Sequence, residues 1–324
     1  MDATTKDTTT TAKFIPIGIH FGLDEETYHR DSALGSSDIR NLRLSAPDFW
    51  WNSGMNPHRD EDENDDTPAK IRGRAMHKLV LEGEAGFDRL YMRIPRPGAD
   101  LSPSEKGAIT KAANATAKAK NLTALPAKDY DRIAIAAAMI SKNPKLKTVF
   151  QNGASEVSVF WIRDGVRCKA RFDYLKAGGI GDLKSITNMK KIEFRRACRE
   201  AIANWRYDIQ AAHYLDGRAQ MAKLFADGLV FGDHDDALLK KVVAAKQFAF
   251  QFVFFQADKA PVTWSTILSP QNPMIEVAGN DVTMALENFK AFMAEFGPDN
   301  IWLLLDEPRE LEIEAMPAWW ARNG

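Results

Sequence analysis

Between residues 167 and 186 the chain reads RCKARFDYLKAGGIGDLKSI, with two carboxylates and an amine spaced so that they could act together on a phosphodiester. Branched and aromatic residues on either side of Ala177-Gly178-Gly179 predict two strands joined by a tight turn. In such a hairpin the end of the first strand lies beside the start of the second, which brings Asp173 towards Asp182. Side chains alternate along a strand, so Asp182 and Lys184 project to the same face. Two neighbouring carboxylates repel unless a cation lies between them or one of them is protonated. Oxygen ligands of this kind suit Mg2+ or Mn2+. A lysine beside such a cation can orient or deprotonate a water, or offset charge on a reacting phosphate. This is apparatus for metal-assisted phosphodiester hydrolysis. D-x-K alone is a common triplet, however, and a surface hairpin with an Asp–Lys ion pair satisfies the same pattern.

Two other segments bear on the choice. In YDIQAAHYLDG, Tyr207, Gln210 and Tyr214 fall at i, i+3 and i+7 and share one narrow helical stripe. Their polar groups need partners, so the stripe could border the site and meet phosphate or an unpaired base. In GRAMHKLVLEG, Met76, Val80 and Leu81 lie on one side of a helix, with Arg74, Lys78 and Glu82 mostly on the other. His77 falls inward, where a satisfied core histidine is the plainer reading. Gly73 and Ala75 beside it permit close approach of a neighbour. Arg171, two residues before Asp173 on the same strand face, could contact a phosphate or pair with a carboxylate.

The elements that must position these groups are legible in outline. Helices are expected over 70–84, 104–119 and 126–142, the last closed by Pro144, after a shorter helix capped by Ser36–Ser37. Strands follow at 156–162, 167–174 and 180–186, with Asp164-Gly165 turning the first into the second. A single long helix is expected from 190 to 224, then strands at 248–256 and 262–268 and a final helix at 282–296. No internal repeat is visible. The order predicts one mixed α/β (α+β) domain over residues 14–324 with a mostly antiparallel central sheet flanked by helices. A Thr-rich tail at 1–13 is expected to be disordered. An acidic loop is expected at 58–68; its run DEDENDD lacks the spaced glycine of a calcium loop.

Composition excludes several classes. With 324 residues, 45% hydrophobic and 27% charged, the chain has the profile of a soluble globular protein. No stretch approaches the roughly 20 apolar residues of a membrane span, and the first residues, MDATTKDTTTTAKF, lack the apolar core of a secretory signal. Cys168 and Cys198 are too few for a disulfide framework or a four-cysteine metal site, so a reducing cytoplasm is expected. Net charge is −1, which argues against a generally basic nucleic-acid coat. Locally, residues 163–206 hold twelve Lys/Arg against five Asp/Glu. That excess fits a confined phosphate-binding surface or a solvated basic helix equally well.

Taken in order, G-x-x-x-H at 73–77, an Asp at a strand end, D-x-K, and Y-x-x-Q-x-x-x-Y resemble the PD-(D/E)XK nuclease superfamily. In detail they resemble its RecE-type exonuclease VIII branch. EETYHRDSALGSSDIRNLRLSAPDFWW is similar to that branch's lead-in segment, GVRCKARFDYL and IGDLKSI to its paired strands, and WRYDIQAAHYLDG to its following helix. The likeness spans roughly residues 24–260. It implies a restriction-endonuclease-like core in which Asp173, Asp182 and the Leu183 carbonyl hold Mg2+, with Mn2+ as a substitute. It further implies that His77 contributes to the metal site, that Lys184 is catalytic, and that Gln210 and Tyr214 support the site and the DNA. Tyr207 and Arg171 are secondary DNA-binding candidates. Glu156 opens the first strand where related sequences often carry an acid. The implied activity is Mg2+-dependent digestion of linear double-stranded DNA from 5′ ends, leaving 3′ tails, beside a single-strand annealing protein in phage-type recombination. The implied assembly is a homo-oligomeric ring, often a tetramer. The alternatives are another DNA endonuclease of the superfamily, or a catalytically silent DNA-binding subunit on the same fold.

Overall fold

In the computed structural model, residues 14–59, 67–256, 260–317 and 319–320 are described. The expected tail at 1–13 and the acidic run at 60–66 lie outside them. Three strands carry the centre of the molecule: β4 (Ala154–Arg163), β5 (Val166–Lys176) and β6 (Gly179–Ile186). β4 and β5 form a long antiparallel hairpin that closes Arg163 on Val166. Its two-residue turn is the expected Asp164-Gly165, both with positive φ, the geometry that matches strand twist.

The remaining elements, in chain order, are β1 (Gly18–His20), α1 (Glu25–Arg30), α2 (Ser36–Leu44), α3 (Ala46–Asn52), α4 (Pro68–Asp88), β2 (Tyr91–Arg93), α5 (Pro103–Ala119), β3 (Thr123–Leu125) and α6 (Ala127–Lys142). After β6 come α7 (Phe194–Asn204), α8 (Tyr207–Ala226), β7 (Val230–Phe231), α9 (Asp236–Ala244), β8 (Ala249–Gln256), β9 (Thr263–Leu268) and α10 (Pro273–Phe296). The main sheet has seven strands in the order β7-β1-β4-β5-β6-β8-β9. It is antiparallel except for the β1–β7 and β6–β8 pairs. β2 and β3 form a separate parallel pair.

Helices cover both faces. On one, α8 and α10, with α2 and α3, enclose Trp161, Phe172, Phe250, Phe252, Phe254 and Trp302. On the other, α4 and α6 pack Met76, Phe87, Ile133 and Ile140 against Leu183, Val253 and Phe255. β8 therefore buries both of its faces, and its sequence AFQFVFFQ is accordingly almost continuously apolar.

Three expectations are corrected. The helix foreseen over 190–224 is two helices, α7 and α8, broken where Arg206 adopts a left-handed φ of 48°. That residue is held there by ion pairs from its guanidinium to Asp208 and Asp281, contacts no helical period announces. The cap of α2 is Gly35, whose N–H donates to Asp38 Oδ2 at 2.8 Å, and both serines fall inside the helix. The last helix begins at Pro273, nine residues early, because Asn272 caps it and accepts from the Met274 N–H.

Beyond α10 the chain is anchored by Trp302, buried among Phe49, Phe289 and Phe292. After it, Leu303, Leu304, Leu305, Leu311, Ile313, Trp319 and Trp320 are exposed. Among the described residues no helix is long and apolar enough to cross a membrane.

Candidate active site

The β5–β6 ladder is short: Tyr174 pairs with Gly181, Leu175 with Ile180 and Lys176 with Gly179. Gly179 starts β6 at φ +146°, and a Cβ there would stand 1.9 Å from the Ala249 carbonyl of β8. Only glycine permits that approach. Past Tyr174 and Gly181 the ladder opens, and the Asp173 side chain enters the gap. Its Oδ2 accepts the Leu183 N–H at 2.8 Å.

Asp182 is fully buried beside it. Its Oδ1 accepts from Gln210 Nε2 at 2.9 Å, so α8 fixes the carboxylate plane. Its Oδ2 forms a buried ion pair with Lys184 Nζ at 2.6 Å. The same-face alternation expected for Asp182 and Lys184 is thus present, and the ammonium also lies 5.3 Å from the Tyr207 ring centroid. Tyr214, one helical turn beyond Gln210, is within electrostatic reach of Asp182, Lys184 and Asp173. All three residues of the predicted stripe therefore face the site.

His77 approaches from α4, in the opposite helical layer. Its Nδ1 is 3.5 Å from Asp173 Oδ2, and its ring lies against the Leu183 backbone. Burial and then the Lys184 charge hold its pKa below the ordinary value, so it stands there as a neutral imidazole. The cluster does not sit on one sheet face as the hairpin argument alone predicted. It straddles the split between β5 and β6, with one helix reaching in from each side.

The electrostatics of the site are dominated by burial. Burial raises Asp182 to about 6, with Lys184 opposing and Asp173 adding to the shift. Asp173 is raised as well, again chiefly by burial against the pull of Lys184. Burial works against a charged Lys184, but Asp182 and then Asp173 outweigh it and its pKa is raised. Lys184 is accordingly held as an ammonium beside the two carboxylates. Two carboxylates share one ammonium, which leaves negative charge uncompensated at low dielectric. Among the described residues no three His, Cys, Asp or Glu side chains stand together as a finished metal cage. Even so, the Asp173 and Asp182 carboxylates, the Leu183 carbonyl and the His77 imidazole are a donor set a divalent cation takes.

His77 and Asp173 line a cleft of about 1080 Å³, together with Tyr214, Arg171 and Glu156, with Arg74 and Lys78 on the α4 rim. Arg171 pairs with a carboxylate, the second of its two expected roles: Nε donates to Glu156 Oε2 at 2.6 Å and Nη1 to the Leu23 carbonyl and Ser158 Oγ. Glu156 lies opposite Asp173, between the Ser155–Tyr174 and Val157–Phe172 pairs, and has a left-handed φ of 54° inside a strand. Such a backbone costs about 1–2 kcal/mol for a residue with a Cβ.

The local basic excess divides: Lys190, Lys191, Arg195, Arg196 and Arg199 stay exposed on and just before α7, and most of the rest is tied up inside the fold. Arg163 meets Asp164 and Asp216, Arg167 meets Asp31, and Arg206 meets Asp208 and Asp281, while Lys169 is buried on the Tyr28 and Asp31 carbonyls. Arg40, which sequence reasoning missed, is bonded to the Trp205 carbonyl and its charge bears on Tyr207. A separation of 165 residues leaves no local signal for it.

A seven-stranded mixed sheet flanked by helices, with D…D-x-K at the split of its central hairpin, defines a restriction-endonuclease-like protein of the PD-(D/E)XK nuclease superfamily. The chain belongs to the family described as "PDDEXK-like domain of unknown function (DUF3799)", which matches residues 52–229. No curated protein matches it. Among solved structures it is similar to one from Eubacterium rectale described as a "Putative exonuclease", with a TM-score of 0.51 and 14% identity over 90% of this chain and 97% of the other. At that identity the likeness speaks for the fold.

Proposed function

We propose that the protein is a Mg2+-dependent exodeoxyribonuclease of RecE type that degrades linear double-stranded DNA, 5′ to 3′, in phage-type recombination, with Mn2+ able to replace Mg2+. The observation that carries the reading is the buried Asp182, bracketed by Lys184 and Gln210 and within electrostatic reach of Asp173 and His77, which line the cleft. Asp173, Asp182, the Leu183 carbonyl and His77 would hold the cation. When bound, such a cation supplies Lewis-acid polarisation of the phosphate and a more acidic water.

The chain's own residues account for the rest. Lys184, held as an ammonium, orients the attacking water and offsets charge building on the phosphate oxygens. Gln210 keeps the Asp182 carboxylate from rotating, and the Tyr207 ring supports the Lys184 head group. Tyr214 walls the cleft and excludes water from the buried pair. DNA is held along the cleft rim that α4 supplies through Arg74 and Lys78. Copies of the chain assemble as a closed ring in the cytoplasm beside a single-strand annealing protein. The exposed Leu303–Leu305 run and Trp319 supply apolar surface for contacts between copies.

Incubation of end-labelled linear duplex with Mg2+ tests the activity. Progressive release of 5′-labelled mononucleotides is expected, with covalently closed circular DNA left intact. Cleavage of the circle would identify an endonuclease instead, and no digestion of either would identify a silent DNA-binding subunit.

A further inference from the structure

Glu156 occupies a backbone conformation that strands avoid, yet the residues on both sides of it are regularly paired with β5. What the conformation secures is a contact: the Glu156 carboxylate takes the Nε of Arg171 at 2.6 Å, while Arg171 Nη1 is tied to the Leu23 carbonyl at 2.8 Å and to Ser158 Oγ at 3.1 Å. Arg171 is only two residues from Asp173, lines the same cleft and lies within electrostatic reach of its carboxylate. A guanidinium forks onto a carboxylate more strongly than any other side chain. Asp173 offers it an attractive target, since its carboxylate accepts one backbone N–H and meets a histidine at 3.5 Å. An Arg171–Asp173 pair would occupy the oxygens that a divalent cation needs.

We infer that Glu156 is a positioning residue that holds Arg171 away from Asp173 and so keeps the Asp173 carboxylate open to a divalent cation. The inference rests on the reading of Asp173 as a cation ligand. Glu156 acts through Arg171, and its left-handed backbone is what aims it along β5.

Titration calorimetry of the full chain with Mn2+ tests this. Glu156→Gln is expected to weaken Mn2+ binding about tenfold or more, the usual effect of losing a group that orients a metal ligand. The double variant Glu156→Gln with Arg171→Met is expected to recover binding to within about threefold of the unmodified chain, because the competing guanidinium is gone. Glu156→Gly, which suits the left-handed backbone, is expected to melt at a higher temperature than Glu156→Gln while binding Mn2+ as weakly. A structural role would move stability and affinity together. Unchanged affinity in Glu156→Gln overturns the inference. So does a double variant as weak as the single one, since Glu156 would then be a ligand in its own right. The two readings fail separately: if Asp173→Asn binds Mn2+ as well as the unmodified chain, the assignment of Asp173 falls, and this inference with it.

Discussion

Lys184→Ala is expected to slow Mg2+-dependent digestion of linear duplex by about 1000-fold, with circular dichroism and melting behaviour close to those of the unmodified chain. The magnitude follows from removing a preorganised charge aimed at the reacting phosphate, which costs roughly 100- to 1000-fold on its own, together with the loss of water orientation. The fold should survive because Asp182, already raised to about 6 by burial, can take up a proton when its partner is lost. Asp182→Ala should be as inactive but less stable. It strands a buried ammonium beside the Tyr207 ring and frees Gln210, and breaking a buried pair from the acidic side costs about 3–5 kcal/mol. Asp182→Asn, which keeps the shape, separates the two effects. Rates are read from acid-soluble label and stability from urea midpoints. Near-normal digestion by Lys184→Ala would remove the basis of the site assignment.

A second large effect is expected from pH, and it arises well away from the chemistry. His213 is fully buried on α8, with Nε2 on the Lys169 carbonyl at 3.0 Å and the Trp161 ring 4.8 Å away. Burial pushes its pKa down to about 4, with the nearby Arg163 charge acting in the same direction. An unfolded histidine titrates near 6.5. Between those values the unfolded chain binds more protons than the folded one, so stability rises with pH. His213's contribution is complete above about pH 6.5 and is lost progressively as pH falls towards 4. The linkage amounts to roughly 2 kcal/mol between pH 7 and pH 5, a large share of the usual 5–15 kcal/mol. The buried acids Asp173, Asp182 and Asp38 act in the opposite sense, since their raised pKa values favour the folded state as pH drops. Comparison with His213→Gln cancels them. The variant is expected to be less stable at pH 7 but to lose about 2 kcal/mol less on acidification to pH 5, measured by urea midpoints. Parallel pH profiles for the two proteins would show that His213 is not the titrating group.

Much of the central sheet was legible because its strands announce themselves in two ways. β4, β5 and β6 carry branched and aromatic runs, and Asp164-Gly165 admits few turns other than the one observed. Asp182 and Lys184 followed from strand alternation, and Tyr207, Gln210 and Tyr214 from helical spacing, both strictly local rules. The short elements were not legible. β1, β2, β3 and β7 have two or three residues each, too few to establish a period, and they exist because a longer neighbour offers them a ladder. The break at Arg206 and the pairing of Arg171 with Glu156 depend on partners from other elements, so charge counting alone does not separate the buried pairs of residues 163–206 from the exposed basic face of α7. The division of the site between two helical layers was equally hidden. Nothing in residues 73–77 says which strand gap α4 will overlie, and the placement of His77 came from resemblance rather than from its own surroundings in the sequence.

One consequence of the opened β5–β6 ladder is experimental. The Leu183 amide is protected by a side-chain carboxylate where a strand would ordinarily offer a backbone carbonyl. Its proton therefore senses how the electrons of a single Asp173 oxygen are engaged. In a nitrogen-edited NMR spectrum that one peak should move when an ion settles on Asp173, while the amides of β8 next door stay in place. The protein thus carries its own label-free gauge of site occupancy, readable before any DNA is added.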